Sequence, residues 1–369
     1  MNVRLKMKIK FQKKEKARKY QTKEERLAER QKIKEEKAEV KKKKKEKKRA
    51  EKEHKKEVEL LNKKLCPVSK KTYESLGIIS FDSDVATIRK DNNKWVKTYK
   101  IEGLNELNKN QFLDNLMEYI SIRSRISSNF TIAENGKLIR TDYMTFFTDG
   151  EIYESVKLAL DAEVRKINAI RPEINLVEIS PNCFMNQIRR NFLHDGEELP
   201  FDGMTKRKYD WRLSAFNAIA VKDDYFEINN KTGVVMQIIQ FPGEIDENVL
   251  KCLVEKGLPI MFITEIQPLD TIMMDDFRRV LEKRFNKEVE QSNAVFTNVG
   301  FTMVILTDSV DQKDEIIKDV EEIFSEHKII ISPVYGNTAD VLESSFSYGI
   351  KDYHSMRNIE IKQVKKLVV

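Results

Sequence analysis

Residues 223–265 read DDYFEINNKTGVVMQIIQFPGEIDENVLKCLVEKGLPIMFITE. Tyr225, Phe226 and Ile228 precede the turn-forming series Asn229-Asn230-Lys231-Thr232-Gly233, and the β-rich run Val234 to Phe241 follows it, which is the pattern of a hairpin. Pro242 and Gly243 end the second strand, since proline has no backbone donor for a ladder. Val249, Leu250, Leu253 and Val254 then recur at helical spacing, and Leu258 to Thr264, after Gly257, is a short apolar run of the kind a buried strand shows.

The same order of elements is legible on both sides. Upstream, strands are expected over Gly77 to Phe81, Val85 to Ile88 and Lys94 to Ile101. A helix through Phe112, Leu113, Leu116, Met117 and Ile120 and a strand over Arg123 to Ile132 follow. Next come a strand over Asp142 to Thr148, a helix over Glu151 to Ile170 and a strand over Ile174 to Ile179. Downstream of the quoted stretch, a helix over Asp270 to Val289 carries Met273, Phe277, Val280, Leu281 and Phe285. A strand over Phe301 to Leu306, a helix over Gln312 to His327 and a strand over Ile329 to Ile331 complete the series. The expected fold class is α+β: a long charged N-terminal helix followed by two diverged ferredoxin-like units, each with a mixed sheet and helices on one face. Residues 1–64 form the basic helix or tail, 65–180 the first unit, 181–221 a connecting arm marked by Pro181, Gly196, Pro200 and Gly203, and 222–369 the second unit.

Charge divides the chain sharply. Residues 1–64 hold 28 Lys and Arg against 12 Asp and Glu, so the net +7 of the whole splits into +16 there and −9 in the remainder. From Gln21 to Lys64 there is no Pro or Gly, and a composition of Lys, Glu, Arg, Ala and Gln favours helix with many Glu–Lys pairs four apart. Leu27, Ile33, Val40 and Val58 are too sparse for a heptad seam, so an exposed helix is expected rather than a coiled coil, weakest at Lys41 to Lys45 where like charges adjoin. The bland reading is a solvated tail. The functional one is phosphate contact, to anionic lipid or to nucleic acid, through Lys41, Lys42, Lys43, Lys44, Lys45, Lys47, Lys48 and Arg49. Aromatic residues are nearly absent there, which removes base stacking.

Catalytic patterns are missing. GxxxxGK[ST], GxGxxG and GxSxG do not occur. His54, His194, His327 and His354 lie far apart, and Cys66, Cys183 and Cys252 show no CxxC spacing, so no metal or cofactor site and no catalytic residue is assigned. Asp275 and Asp276 suit the start of a helix. Trp95 and Trp211 are expected to pack, and so are Met273, Met274 and Phe277, whose alternative is an exposed adaptable patch. No apolar run approaches the roughly 20 residues of a spanning helix, and MNVRLKMKIK is too charged for a signal peptide. The expected location is the cytoplasm, with peripheral attachment at the inner face of the cell membrane.

The series YFEI-NNKTG-VVMQIIQFPGEI, ENVLKCLVEKG, PIMFITEIQPLD and FTMVILTDSVDQKDEIIKDVEEIFSEHKIIISPV, running on to VLESSFSYGIKDY, resembles the N-terminal region of the CagE/TrbE/VirB family of conjugation ATPases from type IV secretion systems. The likeness covers Asp223 to Tyr353, and more faintly the first half, through SLGIISFDSDVATIRKDNNKWVKTYKIEG. In that family a motor with its Walker loop follows this region. Here the sequence ends at Val369, so ATP hydrolysis and its residues are not carried over. The resemblance implies a non-catalytic component of a conjugative transfer apparatus, docked at the membrane or on a separate motor ATPase or channel subunit, with self-association open. The alternative is a nucleic-acid-binding protein of a mobile element that uses its basic tail.

Overall fold

The computed structural model describes residues 23–70, 74, 78–82, 87–90, 93–105, 107–119, 124–132, 138–180, 219–228, 230–257, 260–269, 271–285, 295–346 and 356–367. The expected connecting arm, with Cys183, His194, Asp195 and Trp211, lies outside the described residues apart from 219–221, as do His354 and the start of the tail.

The chain divides after Asn62 into two compact units. The first contains α1 (Lys23–Leu61), an uninterrupted helix of 39 residues. The expected weak point at Lys41 to Lys45 is absent, because helix-favouring residues surround it and Lys43 pairs with Glu39 at 2.8 Å, four residues back.

The second unit is built on one sheet. Its strands are β1 (Cys66–Pro67), β2 (Ile78–Phe81), β3 (Thr87–Lys90), β4 (Lys94–Glu102), β5 (Ser124–Ile132), β6 (Leu138–Asp149), β7 (Asn175–Glu178), β8 (Ile219–Val221), β9 (Phe226–Ile228), β10 (Lys231–Gln240), β11 (Ile260–Pro268), β12 (Phe296–Thr307), β13 (Ile330–Pro333) and β14 (Arg357–Glu360). Its helices are α2 (Lys109–Tyr119), α3 (Tyr153–Ile170), α4 (Asn248–Lys256), α5 (Thr271–Phe285), α6 (Val310–Glu326), α7 (Thr338–Phe346) and α8 (Ile361–Val364). The main path runs β1-β2-β3-β4-β6-β5-β11-β12-β10-β9-β8, with β7 beside β4, β13 beside β10 and β14 beside β12.

This corrects the expected fold class. In place of two ferredoxin-like units with mixed sheets there is a single fourteen-stranded sheet, and every described pairing is antiparallel. The join is the β5–β11 ladder, which runs from Ile132 opposite Ile260 to Ile126 opposite Ile266. Alternation then sorts side chains to two faces. Trp95, Tyr99, Phe130, Met144, Phe262, Phe301 and Met303 share one core with the buried residues of α2, α3, α4, α6 and α8. Val96, Tyr143, Met261, Ile263 and Val304 face the other way, into a core shared with Val341 and Leu342 of α7. Helices therefore lie on both faces, not one.

The C-terminal segment ties the two halves of the sheet together. β14 pairs with β12, Lys365 reaches Asp114 on α2 at 2.6 Å, and Lys366 reaches Glu244 at 3.3 Å. The buried Gln363 accepts from the Ile245 amide at 2.9 Å.

The hairpin in the quoted stretch is tighter than expected. Ile228 pairs with Lys231, Asn230 takes φ 72, and Gly233 lies within β10 rather than in the turn. Its place there has a packing cause: a Cβ on Gly233 would stand 2.1 Å from the Phe226 ring, which is fully buried. Gly233→Ala should therefore destabilise by about 1–3 kcal/mol, and Phe226→Leu in the same chain should recover part of that loss. Denaturant unfolding reads both, and an unchanged midpoint for Gly233→Ala would contradict the packing.

Candidate functional site

The phosphate-contact residues all lie on α1 and all are exposed. The helix does not present them as one cluster. Lys43, Lys47 and Arg49 are engaged by glutamates on their own helix, at 2.8 Å to Glu39, 4.0 Å to Glu51 and 3.1 Å to Glu53. Lys41, Lys42, Lys44, Lys45 and Lys48 have no carboxylate partner among the described residues. Their charge is free to meet an external anion.

Within the second unit, three buried cations escape a reading of sequence alone. Lys97 points to the same face of β4 as Trp95 and Tyr99 and is 2% exposed. It donates to Glu178 of β7, lies 3.9 Å from Asp161 of α3, and sits 4.9 Å from the centre of the Tyr99 ring. Burial, and then the nearby carboxylates of Glu178 and Asp161, push the Tyr99 hydroxyl far above its ordinary range. It stays a neutral phenol at any physiological pH.

Lys313, in the first turns of α6, donates to Asp224 at 2.8 Å and sits over the Tyr225 ring. The hydrogen bond to Asp224 holds its ammonium above the usual lysine range. Arg125 spans the β5–β11 join, reaching Glu265 at 3.3 Å and Gln267 at 3.2 Å, with its guanidinium 5.5 Å from the Phe147 ring. Asp142 is buried beside Arg140 at 2.9 Å. Burial raises its carboxyl above the ordinary value, against the opposing pull of Arg140 and a hydrogen bond from Ser128.

Lys97, Lys313 and Arg125 each join one structural element to another, and Asp142 is tied to Ser128 of β5 as well as to Arg140 of its own strand. The signal that would have found Lys97 is a charged residue at an inward position of an alternating strand, between Trp95 and Tyr99.

Trp95 is fully buried, stacks on Tyr153 with ring centres 5.4 Å apart, and donates to the Gly150 carbonyl at 2.7 Å. Asp275 and Asp276 lie one turn inside α5 rather than at its start and pair with Arg278 and Arg279 at 3.8 and 3.3 Å. The expected packing of Met273 is corrected: Met273 is 55% exposed, with Ile272 and Val280 exposed beside it, while Phe277 packs edge-on against Phe296. His327 lies 2.9 Å from Asp246. Among the described residues no group of three His, Cys, Asp or Glu is placed to hold a metal ion, and no helix is long and apolar enough to cross a membrane.

No protein-family model matches the chain, and no curated protein matches it. Two solved structures of berberine bridge enzyme, one of a variant and one of the enzyme from Eschscholzia californica, are similar over 70% of this chain at 10% identity, with TM-scores of 0.30 and 0.29. The chain spans about half the length of those structures, 48% and 47%.

The buried Lys97 and its two more exposed carboxylates should respond asymmetrically. Lys97→Met removes the buried charge and leaves two carboxylates that reach water, so the cost should stay below about 1 kcal/mol. Asp161→Asn with Glu178→Gln leaves an uncompensated buried ammonium and should cost about 3 kcal/mol or more. Equal costs in thermal or denaturant unfolding would contradict the assignment.

Proposed function

We propose that the chain is a non-catalytic docking component, held by its basic helix at an anionic phosphate-bearing surface, the inner face of the cell membrane. The observation that carries this reading is the density of charge on α1. From Lys41 to Arg49 there are eight cations and one carboxylate, Glu46, all exposed. Near an anionic bilayer each Lys or Arg adds about 1 kcal/mol, so several together suffice for reversible attachment without an apolar anchor.

The second unit would then serve as the partner-binding body. Its acidic composition suits a protein partner better than a phosphate surface, and the exposed Ile272, Met273 and Val280 of α5 offer apolar contact. The resemblance of Asp223 to Tyr353 to the N-terminal region of conjugation ATPases supports a conjugative transfer apparatus as the setting, with a motor ATPase or channel subunit as the partner.

Flotation with phosphatidylglycerol vesicles tests the attachment. The full chain should float at low salt and be released at high salt, whereas a chain of residues 63–369 should stay at the bottom, with at least about a tenfold difference in the bound fraction. Equal flotation of the two would remove α1 from the account.

A further inference from the structure

The geometry of α1 points to something narrower than net charge: we infer that one face of the helix is a straight cationic stripe, and that this face lies flat on an anionic lipid bilayer. The inference rests on the attachment proposed above and deepens it. At about 100° per residue, the positions reached from Arg30 by steps of four or three are Lys34, Lys37, Lys41, Lys45, Lys48, Lys52 and Lys55. These eight fall on one arc about 80° wide, and between residues 30 and 55 no other residue falls on it. At about 1.5 Å per residue the stripe runs about 37 Å along the axis. All eight side chains are exposed, and among the described residues none has a carboxylate partner.

The other side of the helix differs in sign. Glu35, Glu39, Glu46, Glu53 and Glu57 share an arc centred about 140° from the stripe. The helix's ion pairs, Lys43–Glu39, Lys47–Glu51 and Arg49–Glu53, use cations that lie off the stripe. Off the stripe, between residues 30 and 55, six cations are matched by six glutamates, whereas the stripe itself holds no carboxylate.

This segregation selects the shape of the partner. A helix about 10–12 Å across set into a major groove about 12 Å wide has phosphates along both flanks, and a single stripe about 80° wide would reach only part of them. A flat anionic plane meets the stripe alone and leaves the glutamates in water. The face bears no aromatic residue to stack on bases. It also bears no apolar residue between Arg30 and Lys55, so the helix would rest on the lipid headgroups rather than sink between acyl chains. Within the stretch Lys41 to Arg49, the stripe separates Lys41, Lys45 and Lys48 from Lys42, Lys43, Lys47 and Arg49, with Lys44 on its margin.

Two full-length variants of identical charge test it. One carries Lys37→Gln, Lys41→Gln, Lys45→Gln, Lys48→Gln and Lys52→Gln. The other carries Lys32→Gln, Lys42→Gln, Lys43→Gln, Lys47→Gln and Arg49→Gln. Glutamine has nearly the helix propensity of lysine, and circular dichroism of each confirms that α1 persists. Partition onto phosphatidylglycerol vesicles should fall at least about tenfold for the first and less than about threefold for the second. Equal losses would overturn the stripe while leaving charge-driven attachment intact. Absence of vesicle binding by the unaltered chain would overturn both that attachment and the stripe. Retention of the unaltered chain by duplex DNA at a salt concentration where it no longer binds vesicles would replace the lipid partner by nucleic acid.

Discussion

The second unit depends on the pairing of β5 with β11. Without it, each would be an outer strand, nine residues long, with a row of unpaired amides and carbonyls, which is the arrangement that invites aggregation. Joined, they become the middle of the sheet, and all nine residues of β5 are buried. On one face the join is apolar: the rings of Phe130 and Phe262 lie 5.1 Å apart, and Phe262 and Phe301 continue the row at 5.5 Å. On the other face it is polar, with Arg125 held by Glu265 and Gln267. A ladder of backbone bonds with an aromatic row on one face and an ion pair on the other fixes register as well as contact, since a slip of one residue would exchange the faces.

Charge in this protein does two separate things. In the second unit, Lys97, Lys313 and Arg125 are paired with carboxylates and lie against aromatic rings, so their charge is used up in holding β7, α6 and β11 in place. On α1 the helical period splits the cations between a face that answers its own glutamates and a face that does not. The stripe from Arg30 to Lys55 is made only of the second kind, charge that the fold has left without a carboxylate partner among the described residues.

Local periodicity carried much of the element order into view. Apolar spacing located α3, α4 and α6, alternation located β4 and a β-rich run located β10, each within a few residues at each end, whereas β12 starts at Phe296, well before the expected Phe301. Composition pointed to a helix but placed a weak point at Lys41 to Lys45 that the structure lacks, and it did not show the faces, which emerge only when Arg30 to Lys55 are placed around an axis. What stayed hidden depends on neighbours distant in sequence. Alternation says which face a strand residue takes but not which strand lies beside it, so the β5–β11 join was invisible and two separate units were expected in place of one sheet. Gly233 read as a turn residue because nothing local shows that Phe226 occupies the space its side chain would need. The short β14 and α8 lack the length for a periodic signal, and their position is set by Gln363, Lys365 and Lys366 reaching partners more than a hundred residues away.

Amide hydrogen exchange of the full chain tests the single sheet most directly. If β5 and β11 form its centre, the amides of 126–132 and 260–266 should be protected together and open with the same free energy as the core amides of β6 and β12. Seam amides that exchange at nearly unprotected rates, with the two halves opening at different free energies, would contradict it and restore two independent units.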